Sequence, residues 1–351
     1  MGLARFAAVQ IINALVVLLV VLFIVTALFT NLADQQKKAA IEETVARMKP
    51  PSSLTTKEEI QKWKEEQKRI LYEKEGLTKP YWQRVFGYMA DALKLDFGEA
   101  NHMASFKTQS KKVSRIILEA LPNTIILFTT ATLIVIAIGI FLGMKAARAA
   151  GKVLDRVISF LAMLSASLPM WWVGMLMLLL FSYKLNWFPS NSIDVYVAIR
   201  HASNVLEELK EWIYYMALPL MTVVLVSFGG FAYVTRNIVL GVMNEDFVMA
   251  ARAKGLPERK VIYGHVLRTA SPPIVTMSAL SIIGSLGGAI ITETVFGWPG
   301  MGRVYWVAIQ ENETAVILGE TFVTVFLFVA TIALLNFIYG LLDPRVKVGQ
   351  G

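Results

Sequence analysis

The chain contains no cysteine, which excludes disulfides, thiol catalysis and cysteine-ligated metal or iron–sulfur centres. Charge is scarce as well: 17% of residues are Asp, Glu, Lys or Arg, against roughly a quarter in ordinary soluble domains. No G-x-x-x-x-G-K-[ST] loop occurs, so no P-loop nucleotide hydrolysis can be assigned. The three histidines, His102, His201 and His265, stand alone, without an H-E-x-x-H context or other metal-ligand spacing. No G-x-S-x-G nucleophile elbow appears. The expectation is a chain that performs no covalent step, holds no metal and binds no cofactor of its own.

What is present is apolar length. Residues of apolar type make up 56% of the chain, and long uncharged runs separate its charged stretches. About 20 such residues cross the hydrocarbon as a helix, where every amide must be paired within the segment. Six spans are predicted, at 9–30, 121–144, 157–181, 213–235, 274–292 and 316–342. The expected fold class is an all-α membrane protein with six transmembrane helices. The first run is longer than a secretory signal core and has no clean A-x-A site after it, so it reads as a retained first helix. Glu119 and Glu320 fall near span ends, and no span carries a central carboxylate or histidine. That scarcity weighs against an ion-coupled carrier, which places such groups at mid-membrane, though this alternative stays open.

Lys and Arg in short loops set the orientation. Arg5, the loop 145–156 (Lys145, Arg148, Lys152, Arg156), the segment 236–273 (Arg236, Arg252, Lys254, Arg259, Lys260, Arg268) and the tail (Arg345, Lys347) fall on one side of a six-span chain. Both termini are therefore expected in the cytoplasm. The net charge of +8 reads as loops beside a lipid bilayer rather than as a nucleic-acid surface. Trp187, Phe188, Trp212, Tyr214 and Tyr215 are expected at the outer interface, and Trp171 and Trp172 inside the bundle. The expected organisation is a first helix (1–30), a large, mostly helical external loop (31–118) and a five-helix core (119–347) with a coupling segment at 244–270. Within the loop, Pro50 and Pro51 should end a helix, and 56–75 should form an exposed one with i,i+4 ion pairs. Residues 80–98 should dock on the outer face of the bundle.

Two patterns carry functional hypotheses. Ser278, Ser281, Gly284, Ser285 and Gly288 give span five a small, hydroxyl-bearing face, with Gly284 and Gly288 in a G-x-x-x-G. Such faces serve close helix packing; the alternative is the lining of a translocation path. Residues 244–268 read as two amphipathic helices around Gly255-Leu256-Pro257, with Gly255 in a left-handed cap and Pro257 opening the second. A rigid elbow of this kind suits docking into a soluble partner; a helix lying on lipid headgroups fits equally well.

Asp246-Phe247-Val248, with Ala250, Ala251, Arg252, Ala253, Lys254, Gly255 and Leu256 and then His265-Val266-Leu267-Arg268, resembles the coupling loop of binding-protein-dependent ABC importer permeases. More narrowly, it resembles the dipeptide/oligopeptide permease group. Met249 stands where the general motif has Glu, and His265 and Arg268 where it has Ile and Pro. Leu121-Pro122-Asn123-Thr124, Ser167-Leu168-Pro169 with Trp172, Asn186-Trp187-Phe188-Pro189, Glu293-Thr294-Val295-Phe296-Gly297-Trp298-Pro299-Gly300-Met301-Gly302 and Leu342-Asp343-Pro344-Arg345 resemble that group's motifs in order. Gly76-Leu77-Thr78-Lys79-Pro80 and Asp96-Phe97-Gly98 resemble its outer loop, while 34–72 fits it poorly.

The resemblance implies a machine in the prokaryotic inner membrane. This chain and a homologous second permease would form the pore. Two cytoplasmic ABC ATPases would bind ATP and Mg, and an external substrate-binding protein would deliver cargo. Di- or oligopeptides are the expected cargo, with oligosaccharides or metal chelates as alternatives. Asp246, Ala250–Leu256, His265 and Arg268 would couple ATP hydrolysis on the partners to alternating access.

Overall fold

A computed structural model describes residues 3–52 and 56–342, with side chains described for 9–52 and 56–333. The Arg5 side chain, the tail cations Arg345 and Lys347 and the Asp343-Pro344-Arg345 motif lie outside the described residues. Among the described residues there is no strand, only an isolated bridge between Glu99 and Lys112. Among the described residues five helices are long and apolar enough to cross a membrane, and six when one sharply bent pair counts as a single span. The chain divides into two compact units, one of 1–118 with 304–351 and one of 119–303.

In the first unit, α1 (Leu3–Arg47) runs well past its apolar stretch. Residues 35–47 are mostly Gln, Lys, Ala and Glu, good helix formers that prolong it. It stops shortly before Pro50 and Pro51, as expected. α2 (Lys57–Lys74) opens with Glu59 accepting from the Thr56 amide at 3.2 Å. Its ion pairs differ from the sequence expectation. Arg69 meets Glu66 one turn away at i,i+3, and Lys68 reaches across to Glu42 on α1. Leu71 and Tyr72 of α2 pack against a small core of Ile41 and Val45 on α1 and Leu77 just beyond α2, so the charges follow the packing. α3 (Tyr81–Leu93) docks on α1: Arg84 Nε bonds Asp34 Oδ2 at 2.8 Å and Tyr88 donates to Asp34 Oδ1 at 3.0 Å. α14 (Thr314–Leu342) packs on α1 through Leu18, Leu22 and Phe322, with Phe97 5.7 Å from Phe322.

The second unit begins within α4 (Val113–Arg148) after Leu118. α5 (Val153–Ser167) and α6 (Met170–Met177, continued by a π-helical stretch, Leu178–Lys184) meet at a 97° bend at Leu168-Pro169. The break moves Trp171 and Trp172 out of the expected interior: each is 41% exposed on this chain. A short α7 (Val195–Ala198) precedes the long α8 (Val205–Met243). α5 and α8 are tied along their length. Asp155 takes Arg236 in a two-point bond of 2.5 and 2.7 Å, and Ser165 Oγ donates to the carbonyls of Leu225 and Val226. Between these ties a Cβ on Gly229 would collide with the Ala162 backbone, so the helices touch there.

The remaining elements are α9 (Asp246–Ala253), α10 (Glu258–Lys260), a π-helical stretch (Val261–Val266), α11 (Leu267–Gly284), α12 (Ile290–Phe296) and α13 (Met301–Gln310). Span five differs from its sequence boundaries. The continuous helical rod begins at Glu258, and its α-helical part ends at Gly284 rather than running through Thr292. A 3₁₀ turn, Ser285–Gly287, then gives way to Gly288 at φ +64°.

Candidate functional site

The elbow at 244–268 is built as the sequence reading expects in one respect and more stiffly in another. α9 ends at Gly255 with φ +76°, the left-handed conformation that glycine adopts without a Cβ penalty. Pro257 sits just before the first turn of the second arm. That arm is no separate short helix. α10, the π-helical stretch and α11 run on without a break from Glu258. The elbow therefore continues into span five with no break in the helix.

One side of the elbow is rooted. Val248 and Ala251 of α9 pack with Val261, Ile262, Val266, Ala270 and Ile274, and with Ala147 at the end of α4 and Val239 on α8. The other side is open: Asp246, Ala250, Arg252, Ala253, Lys254, Gly255 and Arg268 are exposed, while Leu256 and His265 are half-buried. Phe247 and Met249, at 42% and 54% exposure, stand on that open side. Neither is among the coupling residues expected from the sequence. Their signal is large apolar side chains at positions the helical period turns outward. Arg252 does not point solely outward. It forms a forked pair with Glu258 at 3.2 and 2.9 Å, locking α9 to the start of the rod. The bond lowers the Glu258 carboxyl and raises the Arg252 guanidinium.

At the far end of span five, two motifs that lie apart in sequence form one knot. Glu293 is fully buried. Its Oε1 accepts from Thr124 Oγ1 at 2.9 Å, and its Oε2 from the Arg303 amide at 3.3 Å. Thr124 Oγ1 accepts in turn from the Met301 amide at 2.8 Å. Asn123 Nδ2 lies 2.7 Å from the Pro299 carbonyl and 2.8 Å from the Tyr196 hydroxyl, and Trp298 Nε1 donates to the Asn123 carbonyl at 3.0 Å. A Cβ on Gly300 would strike Glu293 Oε2 and Thr124 Oγ1. Glycine at 300 is thus a condition of the knot. Burial pushes the Glu293 carboxyl up to about 7, against the hydrogen bonds from Thr124 and the nearby backbone.

The small residues of span five do not form one stripe. Ser278, Ser281 and Gly284 lie on α11, with Ser278 Oγ bonded to the Ile274 carbonyl. Ser285 is in the 3₁₀ turn, 3.1 Å from Thr129 Oγ1. Gly288 lies beyond the helix, where a Cβ would come within 2.7 Å of Thr124 Cγ2. Gly284 and Gly288 therefore share no helical face. Among the described residues no group of three or more His, Asp or Glu side chains is placed to hold a metal.

Residues 136–348 match the family model for the inner membrane component of binding-protein-dependent transport systems. An oligopeptide transport system permease protein of Bacillus subtilis is 28% identical over 275 residues, covering 78% of this chain and 83% of the relative. A putative peptide transport system permease protein of Brucella abortus is 35% identical, covering 78% and 82%. A dipeptide transport system permease protein of Escherichia coli is 29% identical, covering 78% and 83%.

Proposed function

This chain belongs to the inner membrane components of binding-protein-dependent transport systems, and on that premise we propose that it is the pore-forming permease subunit of an ATP-driven importer of di- or oligopeptides. The cargo class follows the relatives, which are peptide, dipeptide and oligopeptide permeases by name. The elbow and both termini face the cytoplasm in this reading. Two ABC ATPases dock on the elbow, a homologous permease completes the pore, and an external binding protein delivers the peptide. ATP and its Mg are bound by the ATPases, and this chain's own part is conformational.

The observation that carries the reading is the unbroken rod from Glu258 to span five. Phe247, Met249, Ala250 and Ala253 offer an ATPase groove a small apolar patch beside Arg252 and Lys254. Val248 and Ala251 hold that patch on the same core as Val261 and Ile262, at the base of the rod. Motion taken up at the patch therefore reaches the membrane span without crossing a loop. Alternating access requires such a connection, because the energy source and the pore are on different chains.

Reconstitution in liposomes with the cognate ATPases and binding protein tests the proposal. Peptide uptake that stops when ATP is withheld supports it. Uptake driven by a proton or sodium gradient alone, with no ATPase present, would sink it. Uptake of oligosaccharide or metal chelate in place of peptide would retain the permease and change its cargo.

A further inference from the structure

α3 has a second apolar face that the described residues leave about half uncovered. At about 100° per residue, Val85 and Ala92 fall on one side of the helix and are buried on the first unit's core. Next to them around the helix lie Trp82, Phe86 and Leu93, which are 56%, 57% and 48% exposed. Gln83, Asp91 and Lys94 occupy the far, polar side. Leu95 follows the helix at φ +59°, where glycine or asparagine is the low-cost choice, and is 53% exposed. A leucine held outward at that conformation gains nothing from water.

The position of this face relative to α1 identifies its occupant. The Trp82 and Phe86 rings lie 6.0 and 5.9 Å from the ring of Phe23. Phe23 belongs to the apolar run that ends at Thr30. At 1.5 Å per residue, it lies about 10 Å inside that end. Val20, Ile24 and Leu28 of the same run are exposed, so the apolar face of α3 continues the exposed apolar surface of the first span. The charged pair Arg84–Asp34 belongs to a level of α1 about 16 Å further along than Phe23, where lipid headgroups begin. Interfacial helices bury an apolar face to a depth of about 5–10 Å while their polar side stays wet.

We propose that α3 is a membrane-inserted helix, lying in the bilayer interface beside the first span with Trp82, Phe86, Leu93 and Leu95 among the acyl chains. The external segment is thereby pinned to lipid as well as to α1.

The absence of cysteine makes the test clean. Single cysteines are placed at Phe86, Leu93 and Gln83 of the assembled transporter in lipid nanodiscs and labelled with a nitroxide. Dissolved oxygen and a water-soluble nickel chelate then report depth. Labels at 86 and 93 should relax several-fold more with oxygen than with nickel, and the label at 83 the reverse. Nickel access at either apolar position equal to that at 83 would overturn the proposal. Shielding that appears only on adding the binding protein would overturn it too, since the face would then belong to a protein partner.

Discussion

Thr124 Oγ1 and Glu293 Oε1 lie 2.9 Å apart although 169 residues separate them in the chain. The contact fastens the segment after span five to α4, and the segment is cramped around it. Gly288, Gly300 and Gly302 all sit where a Cβ would meet Thr124, Glu293 or the Ile290 backbone. Nothing this tight tolerates sliding, so the 288–303 segment moves with α4 around Thr124.

The buried carboxyl gives the knot a pH dependence. Glu293 holds its proton up to about 7, above the 4.5 of a free glutamate. A raised folded-state value adds stability that is complete below about 4.5 and is lost as pH rises through 7. Thermal unfolding in detergent should therefore show wild type losing roughly 1–3 kcal/mol between pH 5 and 8. Glu293→Gln should flatten that slope. Equal slopes in the two proteins would contradict the assignment.

Adjacent glycines on α8 should behave oppositely. Gly229→Ala drives a methyl into the Ala162 backbone, whereas Gly230→Ala meets nothing within 4 Å. The first should cost about 1–3 kcal/mol, and the second should be neutral or slightly stabilising through helix propensity. Melting temperatures of the purified variants decide it.

Gly255 stands in open space, with no atom near an added Cβ, yet at φ +76°. Within this chain, any effect of substitution there comes from the backbone alone. Gly255→Val should uncouple the assembled transporter, lowering peptide uptake per ATP hydrolysed by tenfold or more, while Gly255→Asn, which tolerates the left-handed region, should retain most coupling. Equal coupling ratios for wild type and the valine variant would refute the elbow account.

The Arg252–Glu258 fork can be separated from direct docking by reversing charges. Arg252→Glu and Glu258→Arg should each weaken co-purification of the ATPases. The double exchange should restore it if the pair's task is to hold α9 against the rod. Failure of the double exchange would place Arg252 on the partner. Lys254→Glu, outside the pair, should weaken recovery by itself.

The parts of the fold legible in sequence are those set by local chemistry. Apolar length marks the spans, and Gly255 its left-handed turn. What was not legible depends on contacts between distant residues. The end of span five could not be read, because its composition stays apolar through Ile290 and Ile291 while the backbone turns at Gly288. The Thr124–Glu293 knot joins two motifs 169 residues apart, and neither contains a sign of the other. The carboxylate partners of Lys68 and Arg252 are chosen by neighbouring elements, which helical period does not register. The pattern Glu258-Arg259-Lys260 followed by Val261 reads as a new short helix, since periodicity does not register the wider π-helical turn that carries it into α11.

That wider turn removes a hinge where one would be expected. From Glu258 to Gly284 the chain is a single stave, roughly 40 Å long at 1.5 Å per residue. Rotating one end by about 5° sweeps the other through roughly 3.5 Å at that length, a displacement wider than a water molecule. Small angular changes at the elbow are thus enlarged by length alone, before any side chain rearranges.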